Sequence, residues 1–274
     1  MTVASRPGMG TPGERIGTTV GPVDIVIDGD RAAAFAEAIA DREPTHVSGE
    51  VAPLTFVVVP TFELVVRTLG AATEGTALTG GVHGEEDIRL LRPLIAGMRL
   101  QASCRVHGVR VSPSGTRIAM HITAADASGP VVEHYWTCFV RGQVLGDSAG
   151  PDTPDHQLGE EVRATTSRRV IADVPADVTW RYRDASGDHS PAHTDPVAAR
   201  AAGFPDVILH GMCTVGLAVS ALNPLARRVA VRFARPAHPG HPLELEVYDP
   251  APGRVAFEAS SQGVPVLTNG IVEA

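Results

Sequence analysis

The pattern Asp-x-x-Pro-x-His occurs once in each half of this 274-residue chain, at residues 41–46 and again at residues 188–193. Each copy follows a strand-like run and then a helical run that begins behind an aspartate, Asp30 in the first half and Asp177 in the second. The distance from that aspartate to the motif is the same in both halves. Matching features in the same order predict a duplicated unit, which constrains the fold more than any single motif does.

A second repeat supports the duplication. The runs IRLLRPLIAGMRL (88–100) and VRFARPAHPGHPLEL (231–245) each contain Arg-Pro and then a glycine before another strand-like segment. After each Arg-Pro, runs of alternating apolar and polar residues are separated by turn sequences such as SPSG, DASG and DPAPG. This pattern is typical of an antiparallel meander.

The fold class that follows is α+β, with a strand, a short helix, a loop, a longer helix and about four more strands in each half. We expect two antiparallel sheets, each wrapped around a central helix and packed side by side as a pseudo-dimer within one chain. The predicted domains are residues 20–142 and 169–274, and the polar stretch 143–168, which contains glycine and proline, is the predicted linker.

Composition limits the class of function. The net charge is −8 and every one of the 23 basic residues is an arginine, without a basic tail, which disfavours nucleic-acid binding. The N-terminus lacks the apolar core of a secretory signal, and we expect no stretch long and apolar enough to span a bilayer. Cys104, Cys138 and Cys213 form no C-x-x-C pair, so we expect a reducing, cytoplasmic location and neither a disulfide framework nor structural zinc.

The two halves differ after the repeated motif. The second half continues with TDPVAARAAGFPDVIL (194–209), in which Asp195, Pro196 and Gly203 predict a capped two-turn helix, and then reaches His-Gly. The first half has only VSGEVAPL (47–54) and no His-Gly. We call residues 194–209 the flap and expect it in the second half alone.

Asp188 and His193 predict acid–base chemistry in the second half. The intervening Pro191 bends the chain, so both side chains can point into one cleft. A carboxylate beside an imidazole moves protons or orients a water molecule at neutral pH. Gly211 begins the next helical run, whose free N–H groups suit an oxygen that gains negative charge. Together these groups fit chemistry alpha to a carbonyl, where an enolate-like charge must be held.

Simpler structural interpretations compete with these. Asp195 is expected to be a helix cap only, and His210 to cap or brace the loop. Cys213 is expected to be a small buried hydrophobic residue rather than an activated thiolate. Asp41 and His46 could form a second catalytic centre, but a remnant loop of structural value is the preferred interpretation because the flap and the His-Gly element are missing there.

The string YRDASGDHSPAHTDPVAARAAGFPDVILHGMCTVG (182–216) resembles the signature of the MaoC-like, or hydratase 2, family of hot-dog enzymes. The family pattern runs Tyr, Ser-Gly-Asp, x-Asn-Pro, x-His, x-Asp-Pro, Ala, Gly-Phe, then His-Gly and Thr, and it matches in one register. VRFARPAHPGHPL resembles the family's strand after the hot-dog helix, and the first half resembles the degenerate N-terminal hot dog of two-domain members. The resemblance covers nearly the whole chain.

This resemblance implies a double hot-dog hydro-lyase that reversibly hydrates trans-2-enoyl thioesters to (R)-3-hydroxyacyl thioesters without a metal or redox cofactor. It implies that Asp188 and His193 activate the water and that the Gly211 amide holds the thioester oxygen. The family commonly has asparagine where this chain has Ser190, which is shorter but keeps a donor and an acceptor. The predicted substrate-binding residues are Tyr182, Phe204, His210, Arg232 and Arg235.

The expected partner is an acyl group of fatty acid metabolism carried on CoA or on an acyl carrier protein (ACP). Arginines near the motif could meet the phosphates of either carrier, and the acidic net charge favours CoA. The first half would make room for the acyl chain, and the chain would be a monomer or a homodimer. Two alternatives stay open: a hot-dog thioesterase, in which water attacks C1 rather than C3, and an inactive module that binds acyl thioesters.

Overall fold

The structure is a computed structural model that describes residues 11–73 and 81–274. The seven α-helices of these residues are α1 (Gly29–Ala38), α2 (Pro44–Val47), α3 (Val58–Ala72), α4 (Glu160–Arg163), α5 (Val178–Ser186), α6 (Pro196–Ala201) and α7 (Gly211–Leu222). The strands are β1 (Thr19–Val26), β2 (Gly81–Leu90), β3 (Arg99–Ser112), β4 (Gly115–Asp126), β5 (Gly129–Arg141), β6 (Ser167–Ala172), β7 (Arg228–Phe233), β8 (Leu243–Ala251), β9 (Arg254–Ser261) and β10 (Val264–Glu273).

The chain divides into two compact units that do not follow the two halves of the sequence. Of the described residues, the first unit holds 11–25, 61–73, 81–87 and 99–155, and the second unit holds 26–60, 88–98 and 156–274. Helices α1 and α2 of the first half therefore belong to the second unit. The predicted domain boundaries at 20–142, 143–168 and 169–274 stay a prediction.

The first unit contains a sheet wrapped around α3. Its strands lie in the order β1-β3-β4-β5-β2, and β4 pairs antiparallel with both β3 and β5. Leu69 and Ala72 of α3 pack against Val106, Ile118 and Val140 on these strands. The alternating pattern of the three long strands predicts this arrangement, because only every second side chain faces the helix.

The second unit repeats the plan around α7. Its strands lie in the order β7-β10-β9-β8-β6, all paired antiparallel. Helix α7 is the central helix, with every residue from Met212 to Val219 buried. Gly216 allows the side chain of Ile39 to approach the helix, since a Cβ at residue 216 would lie 2.6 Å from Ile39 Cγ2. The predicted α+β class, with an antiparallel sheet and a central helix in each half, is confirmed.

Two predicted helix starts have different outcomes. The N-cap of α1 is Asp28, whose carboxylate accepts the Arg31 N–H at 3.1 Å, and not Asp30, which lies in the first turn. The prediction that the helix cap and the motif are equally spaced in the two halves, which took Asp30 as the cap, is therefore wrong. Asp195 caps α6 as predicted, accepting the Val197 N–H at 2.7 Å, and Pro196 is the first helical residue.

One segment corrects the expectation that nothing in the chain is long and apolar enough to span a bilayer. Leu54–Ala72 is a 19-residue helical segment with a mean hydropathy of 1.5, and half of its most apolar window is buried inside the protein. Packing of α3 against its sheet accounts for this apolar composition, because a core helix must present an apolar face to the strands that cover it.

The packing of Ile39 on α7 can be tested by adding a methyl group at Gly216, with Gly70 of α3 as the control. Gly216→Ala should lower the free energy of unfolding by about 1–3 kcal/mol, because the new methyl group clashes with buried Ile39. Gly70→Ala in α3 has no atom within 4 Å of the added Cβ and should leave that free energy unchanged or raise it by up to about 1 kcal/mol. Denaturant unfolding followed by circular dichroism measures both, and equal effects of the two substitutions would contradict the packing of Ile39 on α7.

Candidate active site

Gly187 ends α5 and turns the chain into the loop of residues 188–193, which we call the open loop. Its φ of 77° lies in the left-handed region that favours glycine, and its N–H donates to the Arg183 carbonyl. Asp188 therefore leaves the helix at once, as the sequence predicts. Its N–H donates to Ser186 Oγ at 3.1 Å, which fixes the start of the loop.

The Asp188 side chain is partly exposed and keeps one oxygen available. Its Oδ1 accepts the Ser190 N–H at 3.0 Å, an Asx turn that sets the direction of the carboxylate. Its Oδ2 has no hydrogen-bond partner among residues 11–73 and 81–274, so this oxygen can bind a ligand. Ser190 itself is exposed. It orients the Asp188 carboxylate through its backbone N–H and not through its hydroxyl.

His193 is oriented by the flap. It ends a short 3-10 turn, Pro191–His193, and its Nδ1 donates to the Ile208 carbonyl at 3.0 Å. A carbonyl accepts but cannot donate, so Nδ1 carries the proton in the neutral imidazole and Nε2 is the basic nitrogen. The ring is half-buried, and within the part of the chain that the structure describes Nε2 has no hydrogen-bond partner, so it can accept a proton from a bound molecule.

His210 lies behind both residues. It is only 2% exposed, its Nε2 donates to the Asp188 carbonyl at 3.1 Å, and its ring stacks on that of His193 with 3.8 Å between centroids. Burial, and next the charge that His193 can carry, lower the pKa of His210 to about 4, against the opposing effect of Asp188. His210 is therefore neutral near pH 7 and braces the open loop.

Tyr182 is the next ring behind His210, at 4.9 Å, and it is also 2% exposed. Tyr182 in turn contacts Phe35 of α1 at 5.3 Å, and Phe35 contacts Phe56 at 5.5 Å. Both residues are buried, which supports the interpretation of His210 as a brace of the loop; substrate binding by Tyr182 and His210 stays a prediction.

Asp188 and His193 can hold a water molecule between them. One carboxylate oxygen of Asp188 and one ring nitrogen each of His193 and His210 lie within 4.8 Å of one another. Two hydrogen bonds of about 2.8 Å each span such a gap, so a water can contact Asp188 and His193 together. A metal ion fits less well, because the planes of the stacked rings are only 28° apart and their in-plane lone pairs do not converge on one point.

Helix α7 begins beside this pair, as predicted. Gly211 is its first residue, and the N-cap residue His210 gives no side-chain hydrogen bond to the first turn. The first amides of a helix have no intrahelical acceptor and lie at the positive end of its dipole, so they suit a developing oxyanion. A Cβ at residue 211 would lie 3.1 Å from the Phe233 ring, which explains the glycine.

The other predicted substrate-binding residues lie outside this cluster. Phe204, which follows α6 within the flap, is half-buried, and Arg232 and Arg235 are exposed. Within the described residues, neither arginine forms an ion pair, whereas Arg181 and Arg183 pair with Asp177 and Asp184. Arg232 and Arg235 therefore stay candidates for binding an anion.

Cys213 lies inside α7 and is fully buried, and burial raises its pKa far above the ordinary value of a thiol. This supports the interpretation of Cys213 as a small hydrophobic residue. All three cysteines are free and buried, as expected for a chain without a disulfide framework.

The first-half loop of residues 41–46 has the same motif but a closed arrangement. Asp41 Oδ2 and His46 Nδ1 are 2.8 Å apart and hydrogen-bond directly to each other, and Asp41 Oδ1 accepts the Glu43 N–H at 2.9 Å. Both side chains are buried, at 5% and 3% exposure. This closed loop leaves no gap for a water molecule, which supports a structural role over a second catalytic centre.

Sequence reasoning missed two residues that support the open loop, Phe35 and Arg31. A signal for Phe35 was present, because aligning Asp41 with Asp188 places Phe35 opposite Tyr182, and the two rings pack on each other. Arg31 gave no local signal. Its side chain reaches the last turn of α5, a contact that depends on how α1 packs.

Comparisons with known proteins identify the family of this chain. A family model described as "MaoC like domain" matches residues 152–251, and one described as "FAS1-like, dehydratase domain region" matches residues 14–133. The chain is 31% identical over 244 residues to 3-hydroxyacyl-thioester dehydratase Y of Mycobacterium tuberculosis. That alignment covers 79% of this chain and 81% of dehydratase Y. The chain is also 29% identical over 221 residues to 3-hydroxyacyl-thioester dehydratase X of the same organism. This second alignment covers 80% of this chain and 75% of dehydratase X.

Solved structures show the same fold. A MaoC-like dehydratase from Phytophthora capsici superimposes with a TM-score of 0.84 at 23% identity, over 95% of this chain and 97% of that one. A Mycobacterium tuberculosis protein described as having a double hotdog fold superimposes with a TM-score of 0.61 at 15% identity, over 98% of each chain. The predicted double hot-dog class is thereby confirmed. Given this fold and the identity to dehydratase Y over most of both chains, this chain belongs to the family of MaoC-like dehydratases.

Proposed function

We propose that this protein is a hydro-lyase that reversibly hydrates trans-2-enoyl thioesters to (R)-3-hydroxyacyl thioesters. The observation that carries the proposal is the convergence of Asp188 and His193 across a gap that fits one water, beside the first turn of α7. The relatives named as 3-hydroxyacyl-thioester dehydratases support the same reaction class.

In the hydration direction, a water molecule is held between Asp188 Oδ2 and His193 Nε2. The pair removes one proton while the water oxygen forms a bond to C3 of the enoyl group. The electrons of the C2–C3 double bond move onto the thioester oxygen, which the Gly211 amide stabilises. The enolate then takes the removed proton at C2, and the carbonyl re-forms. Dehydration is the reverse sequence.

These steps involve no net oxidation or reduction, and the protein groups supply all the proton transfers, so we propose that no redox cofactor or metal takes part. His193 keeps Nδ1 on the Ile208 carbonyl throughout, which holds Nε2 towards the water. His210 stays neutral because of its low pKa and does not compete for the proton near pH 7.

The carrier is proposed to be CoA rather than ACP. Arg232 and Arg235 are exposed and unpaired within the described residues, so they can bind phosphate groups. The net charge of −8 would repel an acidic carrier protein more than it repels a small nucleotide. A cytoplasmic location, a monomeric or homodimeric state and the absence of nucleic-acid and membrane partners remain proposals of the same kind.

A thioesterase would use the same groups differently. Water would have to attack C1, the carbon bonded to the oxygen that the α7 amides hold. In the open loop the water site lies between Asp188 and His193, and the first turn of α7 supplies a separate oxyanion position. This separation favours attack at C3, two bonds from the thioester carbon.

The reaction can be followed by the loss of the conjugated enoyl-thioester absorbance with short, medium and long trans-2-enoyl-CoAs. Asp188→Asn should lower kcat by about 10²–10⁴-fold, because the amide cannot accept the water's proton. The matched control Asp41→Asn should retain turnover, since Asp41 is buried against His46. Equal losses in the two variants would contradict the assignment of the open loop as the only centre, and a fully active Asp188→Asn would exclude Asp188 from the chemistry.

Ser190→Asn tests the one departure from the family motif. The longer amide can reach the water site from an exposed position in the open loop, so we expect kcat to rise a few-fold with little change in KM. Ser190→Ala, which keeps the backbone N–H bond to Asp188, should stay close to wild type. A large loss of activity in Ser190→Ala would show that the hydroxyl already holds the water.

A further inference from the structure

Arg31 of α1 holds the end of α5, although the two helices come from different halves of the sequence. Its Nε donates to the Ala185 carbonyl at 2.8 Å, and its Nη2 donates to the Ser186 carbonyl at 2.6 Å. Carbonyls in the last turn of a helix have no intrahelical donor, so the guanidinium fork satisfies two of them at once. The open loop begins two residues later, at Asp188.

The positive charge of Arg31 is favoured by the end of α5 that it contacts, and not by its place in α1. Arg31 lies in the first turn of α1, where the helix dipole favours negative charge. Arg31 contacts residues 185 and 186, whereas Phe35, one turn further on, contacts Tyr182, so the two helices run antiparallel. The N-terminus of α1 therefore meets the C-terminus of α5, where a positive charge is favoured.

Among the described residues, the closed loop has no equivalent of this support at the aligned position. Aligning Asp41 with Asp188 places Arg31 opposite Val178, which has no side-chain donor. The closed loop, which holds its own aspartate and histidine together, therefore has no equivalent arginine. The two loops therefore differ in the same way as the helices packed against them: α1 carries an arginine where α5 carries a valine.

The guanidinium also restricts the turn that leads to Asp188. A Cβ at Gly187 would lie 2.7 Å from Arg31 Nη2, so the arginine occupies the space beside a residue that already has a left-handed φ of 77°. The backbone of residues 185–187 is thereby held on one side by Arg31, while His210 holds the Asp188 carbonyl on the other.

We propose that Arg31 is a positioning residue for hydration, which fixes the backbone before Asp188 so that its carboxylate meets the water held by His193. This role rests on the proposed hydration reaction. Its guanidinium bonds to the Ala185 and Ser186 carbonyls, so Arg31 acts through the last turn of α5. The N-terminal half of the chain thus contributes directly to the geometry of the C-terminal site.

Turnover of Arg31→Ala, Arg31→Lys and the control Arg42→Gln tests this role. Arg42 is an exposed arginine of the same half, within the closed loop. In Arg31→Ala we expect kcat to fall by about 10- to 100-fold with KM within about threefold, because a displacement of about 1 Å is enough for such a loss. Added guanidinium ion should restore part of kcat in Arg31→Ala and none in Asp188→Asn. Arg31→Lys should lie in between, since one ammonium lacks the fork geometry.

Hydrogen–deuterium exchange gives a readout that does not depend on turnover. Arg31→Ala should increase exchange in a peptide covering residues 187–193 while Arg42→Gln leaves it unchanged. If wild type hydrates no substrate but this exchange changes as expected, the proposed reaction fails and the support of the loop by Arg31 stands. Wild-type kcat and exchange in Arg31→Ala would overturn the proposal, as would a loss of kcat that only follows a fall in Tm and is not restored by guanidinium.

Discussion

Tyr182 packs against Phe35, its counterpart in the first half, and the rest of the site depends on this contact. The ring centroids are 5.3 Å apart, and from Tyr182 the ring contacts continue to His210 and then to His193. Buried aromatic rings have few alternative positions in a close-packed interior, so each ring restricts the next. His193 is the accessible end of a column of rings that begins at Phe56 in the core of the second unit. The orientation of the His193 imidazole is therefore a consequence of helix packing and not of the open loop alone.

The two Asp-x-x-Pro-x-His loops show how one motif reaches two outcomes. In the closed loop, His46 Nδ1 bonds to its own aspartate. In the open loop, His193 Nδ1 bonds to the carbonyl of Ile208, a residue of the flap that the first half lacks. We infer that the flap separates the open-loop pair by giving the histidine another acceptor. A free carboxylate oxygen and a basic nitrogen then face each other across a gap, which is what general acid–base chemistry on water requires.

Local patterns predicted most of the fold, because strand alternation, turn residues and the duplication are all visible within short windows. They also predicted that Asp188, His193 and Gly211 lie together. The reason is that glycine and proline restrict the backbone locally, so they mark where a helix ends, a loop bends and the next helix begins. Short stretches of sequence could suggest that His210 braces the loop, but they could not show that Tyr182 is buried behind it, because burial depends on the neighbouring helix. The cap at Asp28 was missed because two aspartates lie within three residues of each other. Arg31 needed the antiparallel packing of α1 on α5, which no local signal encodes.

The central claim is that water adds to C3 of an enoyl thioester in the open loop. Its most direct test is incubation of the protein with trans-2-enoyl-CoA in water enriched in oxygen-18, followed by mass spectrometry of the products. We predict an intact CoA thioester that carries the heavy oxygen in a C3 hydroxyl group, and no such product from Asp188→Asn. Release of free CoA with the heavy oxygen in the carboxylate of the acid would contradict the account and indicate a thioesterase. Unlabelled, unchanged enoyl-CoA would instead indicate a module that binds acyl thioesters without reacting with them.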